Sequence, residues 1–223
     1  MMHMRTLLAV LCVLVLVSPL GGQTPAPAAD NPLLKAWTTP SGVPPFSEIK
    51  PEHFLPAITE AVAQQRREVD AIAATPQPPT WTNTIEALEY TGDLLAKVSP
   101  VFSILQSSNT NAQLQAINRQ VAPLLTMLRD DIRLNPRLFG RIKAVWGQRD
   151  QLALTPVQKK LLDETYKSFV RGGANLTAEQ QVRFRAINAE LSTLGITFGD
   201  NLLKETNAFR LVIQKPEELA GLP

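Results

Sequence analysis

Residues 170–180, with the sequence VRGGANLTAEQ, end one helical pattern and begin another within a few residues. Glycine readily adopts the left-handed backbone that commonly ends a helix, so Gly172 and Gly173 predict a helix end. Thr177 followed by Gln180 is a capping box, which predicts that the next helix begins there. This stretch is therefore interpreted as the corner of a helical hairpin, and two long antiparallel helices are predicted as the scaffold.

Both flanks of the corner carry helical patterns. Upstream, Thr155, Pro156 and Gln158 supply an N-cap, a proline at the first helical position and a second capping box. Downstream, apolar residues recur at spacings of three and four, which predicts one continuous buried stripe. The members of this stripe are Ile187, Leu191, Leu194, Phe198 and Leu202.

The same periodicity extends back along the chain, so residues 51–207 are predicted as a helical domain. Pro100 and Pro123 lie inside helical patterns and predict kinks. The predicted fold class is all-α, an antiparallel helical bundle with kinked helices. Three more helix starts are predicted from capping residues, at Asn83 with Glu86, Thr110 with Gln113, and Asn135 with Pro136.

The segments beside this domain have other patterns. Residues 29–50 are proline-rich and carry apolar anchors such as Leu33 and Trp37, which predicts an extended strap laid over the helical body. Residues 208–223 contain a short β-prone run at 209–213 followed by a turn. A lone strand cannot satisfy its own backbone, so its partner is expected in the strap, in another chain, or in sequence outside this chain.

Residues 1–28 are predicted to be a signal peptide, cleaved between about residues 20 and 29. Arg5 supplies the positive charge, and an apolar run follows from Leu7 to Val17. This run is short for a membrane span, so a periplasmic or secreted product without a stable span is favoured over an uncleaved anchor. Cleavage would remove the single cysteine, Cys12, and leave His53 as the one histidine.

Composition limits the kind of partner that is expected. Of the 223 residues, 44% are apolar and 19% are charged, which is typical of a globular chain able to bury a sizeable core. The formal net charge is only +2, and basic residues are interleaved with acidic ones. Nucleic acid is therefore not predicted as a partner.

The sequence predicts no catalytic or metal-binding residue in this chain. Zinc hydrolysis normally needs three protein ligands and an open position for water, yet there is no His-Glu-x-x-His pattern. His53 is interpreted as a half-exposed surface histidine in the first turn of its helix. The neighbouring acids Asp130 and Asp131, like Glu217 and Glu218, do not face each other on a helix. No nucleophile elbow or phosphate-binding loop occurs, and no substrate-binding residue is assigned.

Several sequence blocks, in order along the chain, point to a family. They are NPLL at 31–34, PPF at 44–46, IKPEHFLPA at 49–57, PTWTNTIEALE at 79–89, FVRGGANL at 169–176 and AGLP at 220–223. Together they resemble the N-terminal part of bacterial zinc oligopeptidases, the family of oligopeptidase A, peptidyl-dipeptidase and thimet oligopeptidase.

The resemblance implies an all-helical segment that forms one wall of a deep channel in an exported enzyme cleaving short peptides. Zinc is expected in a C-terminal catalytic part, which would be the partner of this segment, and this chain alone is expected to be inactive. Endopeptidase and peptidyl-dipeptidase activity both remain open. The alternative is a stand-alone exported helical module that binds peptides or regulates a peptidase.

Overall fold

The computed structural model describes residues 30–221, so the predicted signal peptide lies outside the described residues. Within them the fold is all-α, as predicted, and no strand is present. A π-helical turn, Trp81–Glu86, precedes the short helix α2, and single 3-10 turns occur at Pro40–Gly42, Pro51–His53 and Pro216–Leu219. The helices are α1 (Phe54–Ala74), α2 (Ala87–Glu89), α3 (Asp93–Ser108), α4 (Ala112–Arg133), α5 (Pro136–Gly147), α6 (Pro156–Arg171) and α7 (Ala178–Ala208).

Helix α1 contributes to two hydrophobic clusters. The first lies between α1, α3 and α4, where the rings of Phe54 and Phe102 are 5.1 Å apart between centroids. The second lies between the C-terminal half of α1, α5 and α6, and it buries Leu138, Ile142 and Leu162 completely. Because apolar surface is removed from water at both ends of α1, this helix joins the two halves of the helical body.

Aromatic side chains hold α5 and α6 together in the second cluster. The rings of Phe169 and Phe139 are stacked with centroids 6.3 Å apart, and Phe139 stacks on Tyr166 at 5.8 Å. Tyr166 in turn stacks on Trp146 at 4.1 Å. Such pairs add to the stabilisation that their burial provides.

Three of the predicted helix starts are confirmed. Thr155 and Thr177 each form a complete capping box with the glutamine three residues later. Asn135 accepts hydrogen bonds from the backbone amides of residues 137 and 138, with Pro136 at the first helical position. These contacts satisfy backbone donors that have no partner within the helix.

Two predicted helix starts are wrong by a few residues. Thr80 rather than Asn83 is the N-cap, because the two form a reciprocal pair in which each side chain accepts the other's backbone amide, at 2.8 and 3.1 Å. Asn111 rather than Thr110 caps α4 and accepts from the amide of Leu114 at 2.9 Å. Asparagine is generally the better N-cap, which explains the second correction.

The helical pattern predicted to continue from Asn83 is interrupted at Gly92, which has a φ of +80°. The positive φ favours glycine, and a Cβ atom here would require the end of the flexible Gln65 side chain, 2.5 Å away, to move. Pro100 and Pro123 lie inside α3 and α4, as predicted. Each removes one backbone donor from its helix.

The corner at residues 170–180 forms as predicted, with a Schellman motif at the end of α6. The amide of Gly173 donates to the carbonyl of Val170 at 3.2 Å, and that of Ala174 donates to Phe169 at 3.0 Å. Only Gly173 takes the left-handed conformation, at a φ of +97°. The antiparallel pairing of the two arms is wrong, however, because α6 packs mainly on α5 and α7 packs on α4.

Residues 30–50 lie over the first cluster through a few anchors and include turns as well as extended backbone. Leu33 is completely buried, and the Asn31 side chain donates to the carbonyl of His53 at 2.7 Å. The Lys97 ammonium lies 4.5 Å from the centre of the Trp37 ring. Apolar burial, one buried amide and a cation–π contact therefore attach this segment to the helices.

Residues 209–215 have no regular secondary structure. Phe209, Leu211 and Val212 are 70–76% exposed. The short strand predicted at 209–213 is therefore not confirmed. A strand there would need a partner from outside the described residues to pair its backbone groups.

Candidate functional surface

The apolar stripe of α7 is exposed to solvent. Phe198 is 70% exposed, Leu191 59% and Leu202 58%, and no residue of α7 is buried. The prediction of a buried stripe is therefore wrong for this chain, although the helical spacing is right. A contiguous exposed apolar surface of this kind typically marks an interaction site. We call these residues the α7 stripe: Ile187, Leu191, Leu194, Phe198 and Leu202.

Polar contacts near both ends of the α4–α7 contact hold α7 in place. Arg185 donates to Asp131 at 2.8 Å, and Asn188 donates to Asp130 at 2.7 Å. Further along, Arg119 of α4 pairs with Asp200 of α7 at 2.8 Å. These polar groups lie on the α4-facing side of α7, and most of the α7 stripe points away from that side, although Leu191 at its edge borders the cavities between α7 and α4.

Between α3, α4 and α7 lies an open cleft of about 750 Å³. Its apolar lining includes Ile58, Phe102 and Val121, and neutral polar side chains such as Gln106 and Asn118 also line it. Its single charged lining residue is already paired with an arginine. A neutral, partly apolar ligand matches this lining better than a strongly charged one.

Asp130, Asp131 and His53, which were considered above, have structural partners. The Nδ1 atom of His53 accepts the backbone amide of Lys50 at 3.0 Å, so this half-buried side chain helps to close the first turn before α1. Asp130 and Asp131 bind different residues, as expected for neighbours on a helix. In residues 30–221, no group of three or more potential ligands is placed to hold a metal ion. The described helices also include none long and apolar enough to cross a bilayer.

No family model matches the chain. Its sequence is nevertheless 39% identical over 194 residues to dipeptidyl carboxypeptidase of Salmonella typhimurium, a match that covers 87% of this chain. It is also 32% identical over 193 residues to oligopeptidase A of Escherichia coli, covering 86% of this chain. The chain belongs to the dipeptidyl carboxypeptidase and oligopeptidase A family.

The matches cover most of this chain but only part of each relative. The chain spans 28% of the length of either bacterial relative, and 24% of an organellar oligopeptidase A of Arabidopsis thaliana that is 26% identical. Most of each family protein therefore has no counterpart here.

Proposed function

We propose that this chain is the N-terminal, channel-wall segment of an exported zinc metallopeptidase that cleaves short peptides. Zinc and the catalytic residues would lie in a C-terminal part outside these 223 residues. The observation that carries the proposal is the exposed α7 stripe in a chain that spans 28% of its relatives' length. Large apolar side chains at helical spacing are typical of a surface that packs against another part of a protein.

The partner of the α7 stripe in this proposal is the C-terminal catalytic part. The exposed apolar residues continue past the end of α7 through Phe209, Leu211 and Val212. A second part packed along both segments would cover the stripe and could offer residues 209–213 the backbone partner that a strand requires. The cleft between α3, α4 and α7 would then face the channel, where its neutral lining suits peptide backbone.

Export is supported by the sequence alone. We expect the precursor to be shortened by roughly 20 to 28 residues during export from a bacterial host. Intact-mass analysis of the periplasmic fraction measures this directly. A periplasmic product that retains Met1 would contradict the proposed signal peptide.

Zinc content and peptidase activity test the proposal that zinc and the catalytic residues lie in the C-terminal part. The purified chain is expected to hold no stoichiometric zinc after dialysis and not to hydrolyse quenched-fluorescent peptides, because zinc catalysis needs three convergent ligands and an open water position. Adding a separately expressed C-terminal part from the same locus should restore cleavage. One tightly held zinc per isolated chain, with chelator-sensitive turnover, would overturn the proposal.

The open cleft favours one alternative, a stand-alone module that binds peptides or regulates a peptidase. In that case the isolated chain should be monomeric and bind short neutral peptides by fluorescence anisotropy. Gly195 lines the cleft, and a Cβ atom there would meet nothing within 4 Å. A Gly195→Phe variant should therefore fill the cleft and weaken peptide binding by the stand-alone module, without requiring any C-terminal part.

A further inference from the structure

Beside the corner at residues 170–180, helices α4, α6 and α7 border another cavity, which is polar and has a volume of about 370 Å³. Its lining includes Arg129 and Arg133 of α4 and Arg171 from the last turn of α6. Asp130 is the carboxylate in the lining, and its Oδ1 atom accepts a hydrogen bond from Asn188. Three arginines against one aspartate leave an excess of two formal positive charges among the lining residues. We call this the arginine cavity.

The arginines of this cavity lack partners, whereas most arginines in residues 30–221 have them. Arg66, Arg67, Arg119, Arg149 and Arg185 pair with carboxylates, and Arg141 and Arg210 donate to backbone carbonyls. Five described arginines form neither contact through their side chains, and three of these five line the arginine cavity. The five are Arg129, Arg133, Arg137, Arg171 and Arg183.

Neighbouring acids do not neutralise the cavity. Asp131 is next in sequence to Asp130 but is bound to Arg66 and Arg185. Glu164 of α6 lies close enough for Arg171 to help lower its pKa, after the larger effect of its hydrogen bond and charge interaction with Lys160. That carboxylate therefore already has a cation, and it does not line the cavity.

The spacing of two of the arginines adds to this imbalance. Arg129 and Arg133 are four residues apart on α4, so their charges lie on the same face, an arrangement that disfavours the helix. An arginine fork presents donors that match the two oxygens of a carboxylate or the oxygens of a phosphate. An anion in the cavity would thus relieve the repulsion and satisfy donors that the chain leaves free.

We propose that the arginine cavity binds a small dianion, a dicarboxylate or a phosphate group, independently of the proposed peptidase role. The Schellman corner builds this site by placing Gly172 against the stem of Arg133. A Cβ atom at Gly172 would lie 2.6 Å from Cδ of Arg133, 3.0 Å from the backbone carbonyl oxygen of Ser168 and 3.2 Å from Cβ of Arg133. The absence of a side chain at Gly172 therefore leaves room for Arg133 in the lining of the cavity that Arg171 also borders.

The test uses the full chain with sodium succinate and sodium phosphate as separate probes, at constant ionic strength against sodium chloride. Wild type should show a saturable rise in Tm and a measurable Kd for at least one dianion. The double variant Arg129→Gln/Arg133→Gln should lose at least tenfold in affinity. Arg137→Gln and Arg183→Gln, which remove unpaired arginines outside the cavity, should bind as wild type does. The arm that saturates identifies the anion as dicarboxylate or phosphate.

A second readout separates a ligand site from a structural role. Without added dianion, the double variant should melt close to wild type, because relief of the like-charge repulsion offsets the loss of the Arg133 stem beside Gly172 and of a positive charge in the last turn of α4. A Gly172→Ala variant keeps every charge but crowds Arg133 and the Ser168 carbonyl, so it should bind the dianion more weakly, with its Tm without ligand measured in parallel. The proposal is overturned if neither dianion saturates, if the control variants lose binding equally, or if the double variant is destabilised without ligand.

Discussion

Replacing Phe198 and Leu202 by glutamine tests whether the α7 stripe has a partner within this chain. These side chains are 70% and 58% exposed, so less than half of either is removed from water. Complete burial of such a side chain contributes about 1.5–3 kcal/mol, so each substitution should cost at most about 1 kcal/mol. Phe169 is 5% exposed within the aromatic stack, and its replacement by alanine should cost about 3–5 kcal/mol.

Urea unfolding followed by far-UV circular dichroism gives the free energies, and light scattering over a range of concentrations gives the association state. Wild type should self-associate through the stripe and bind a hydrophobic dye, and the Phe198→Gln/Leu202→Gln variant should do both less. Val182→Gln is the matched control, because Val182 is 72% exposed on nearly the opposite side of α7. A loss of about 3 kcal/mol in the double variant, or unchanged self-association, would refute the assignment of the stripe as an unpartnered surface.

Two further predictions concern the corner and the acid sensitivity of the fold. Gly173→Ala should lower the free energy of unfolding by about 1–2 kcal/mol, because the φ of Gly173 is +97°. Gly195→Ala, in an open part of α7, should raise it by about 0.5–1 kcal/mol. Urea unfolding measures both changes. Hydrogen bonds from Lys167 and Trp146 lower the pKa of Asp163, so its contribution to stability is present above its ordinary pKa and is lost as the pH falls through the lowered value. Asp163→Asn should therefore flatten the acid side of the pH–stability profile, and an unchanged profile would contradict the role of this carboxylate.

Features that depend on a few neighbouring residues could be predicted from the sequence. The capping boxes at Thr155 and Thr177 formed because their donors and acceptors lie within one helical turn. Where two caps competed within a few residues, the choice was wrong. The side chains of Thr80 and Asn83 can both cap a helix. In the structure each accepts the other's backbone amide, and Thr80, the first of the pair, is the N-cap.

Features that depend on distant packing could not be predicted in the same way. The spacing of Leu191, Phe198 and Leu202 correctly indicates one helical face, but periodicity does not reveal what covers that face. The packing of α7 on α4 joins residues that are far apart in sequence, such as Arg119 and Asp200, which are separated by 81 positions. The arginine cavity was missed for the same reason, because Arg171 and Arg133 line one cavity only in the folded chain. The i, i+4 arginines were the signal available in the sequence.

Because polar contacts attach α7 to the rest of the fold, the local stability of this helix should differ from that of α1. The carboxylate of Asp131, in α4, accepts hydrogen bonds from Arg66 of α1 and Arg185 of α7. It therefore connects three helices across a partly exposed contact. Such ion pairs weaken as salt is added, whereas the buried clusters around α1 are little affected. Amides of α7 should accordingly exchange with deuterium through a local opening that salt promotes, while those of α1 exchange only on global unfolding. The helix would thus behave as a separate cooperative unit, free to adjust its position before a partner fixes it.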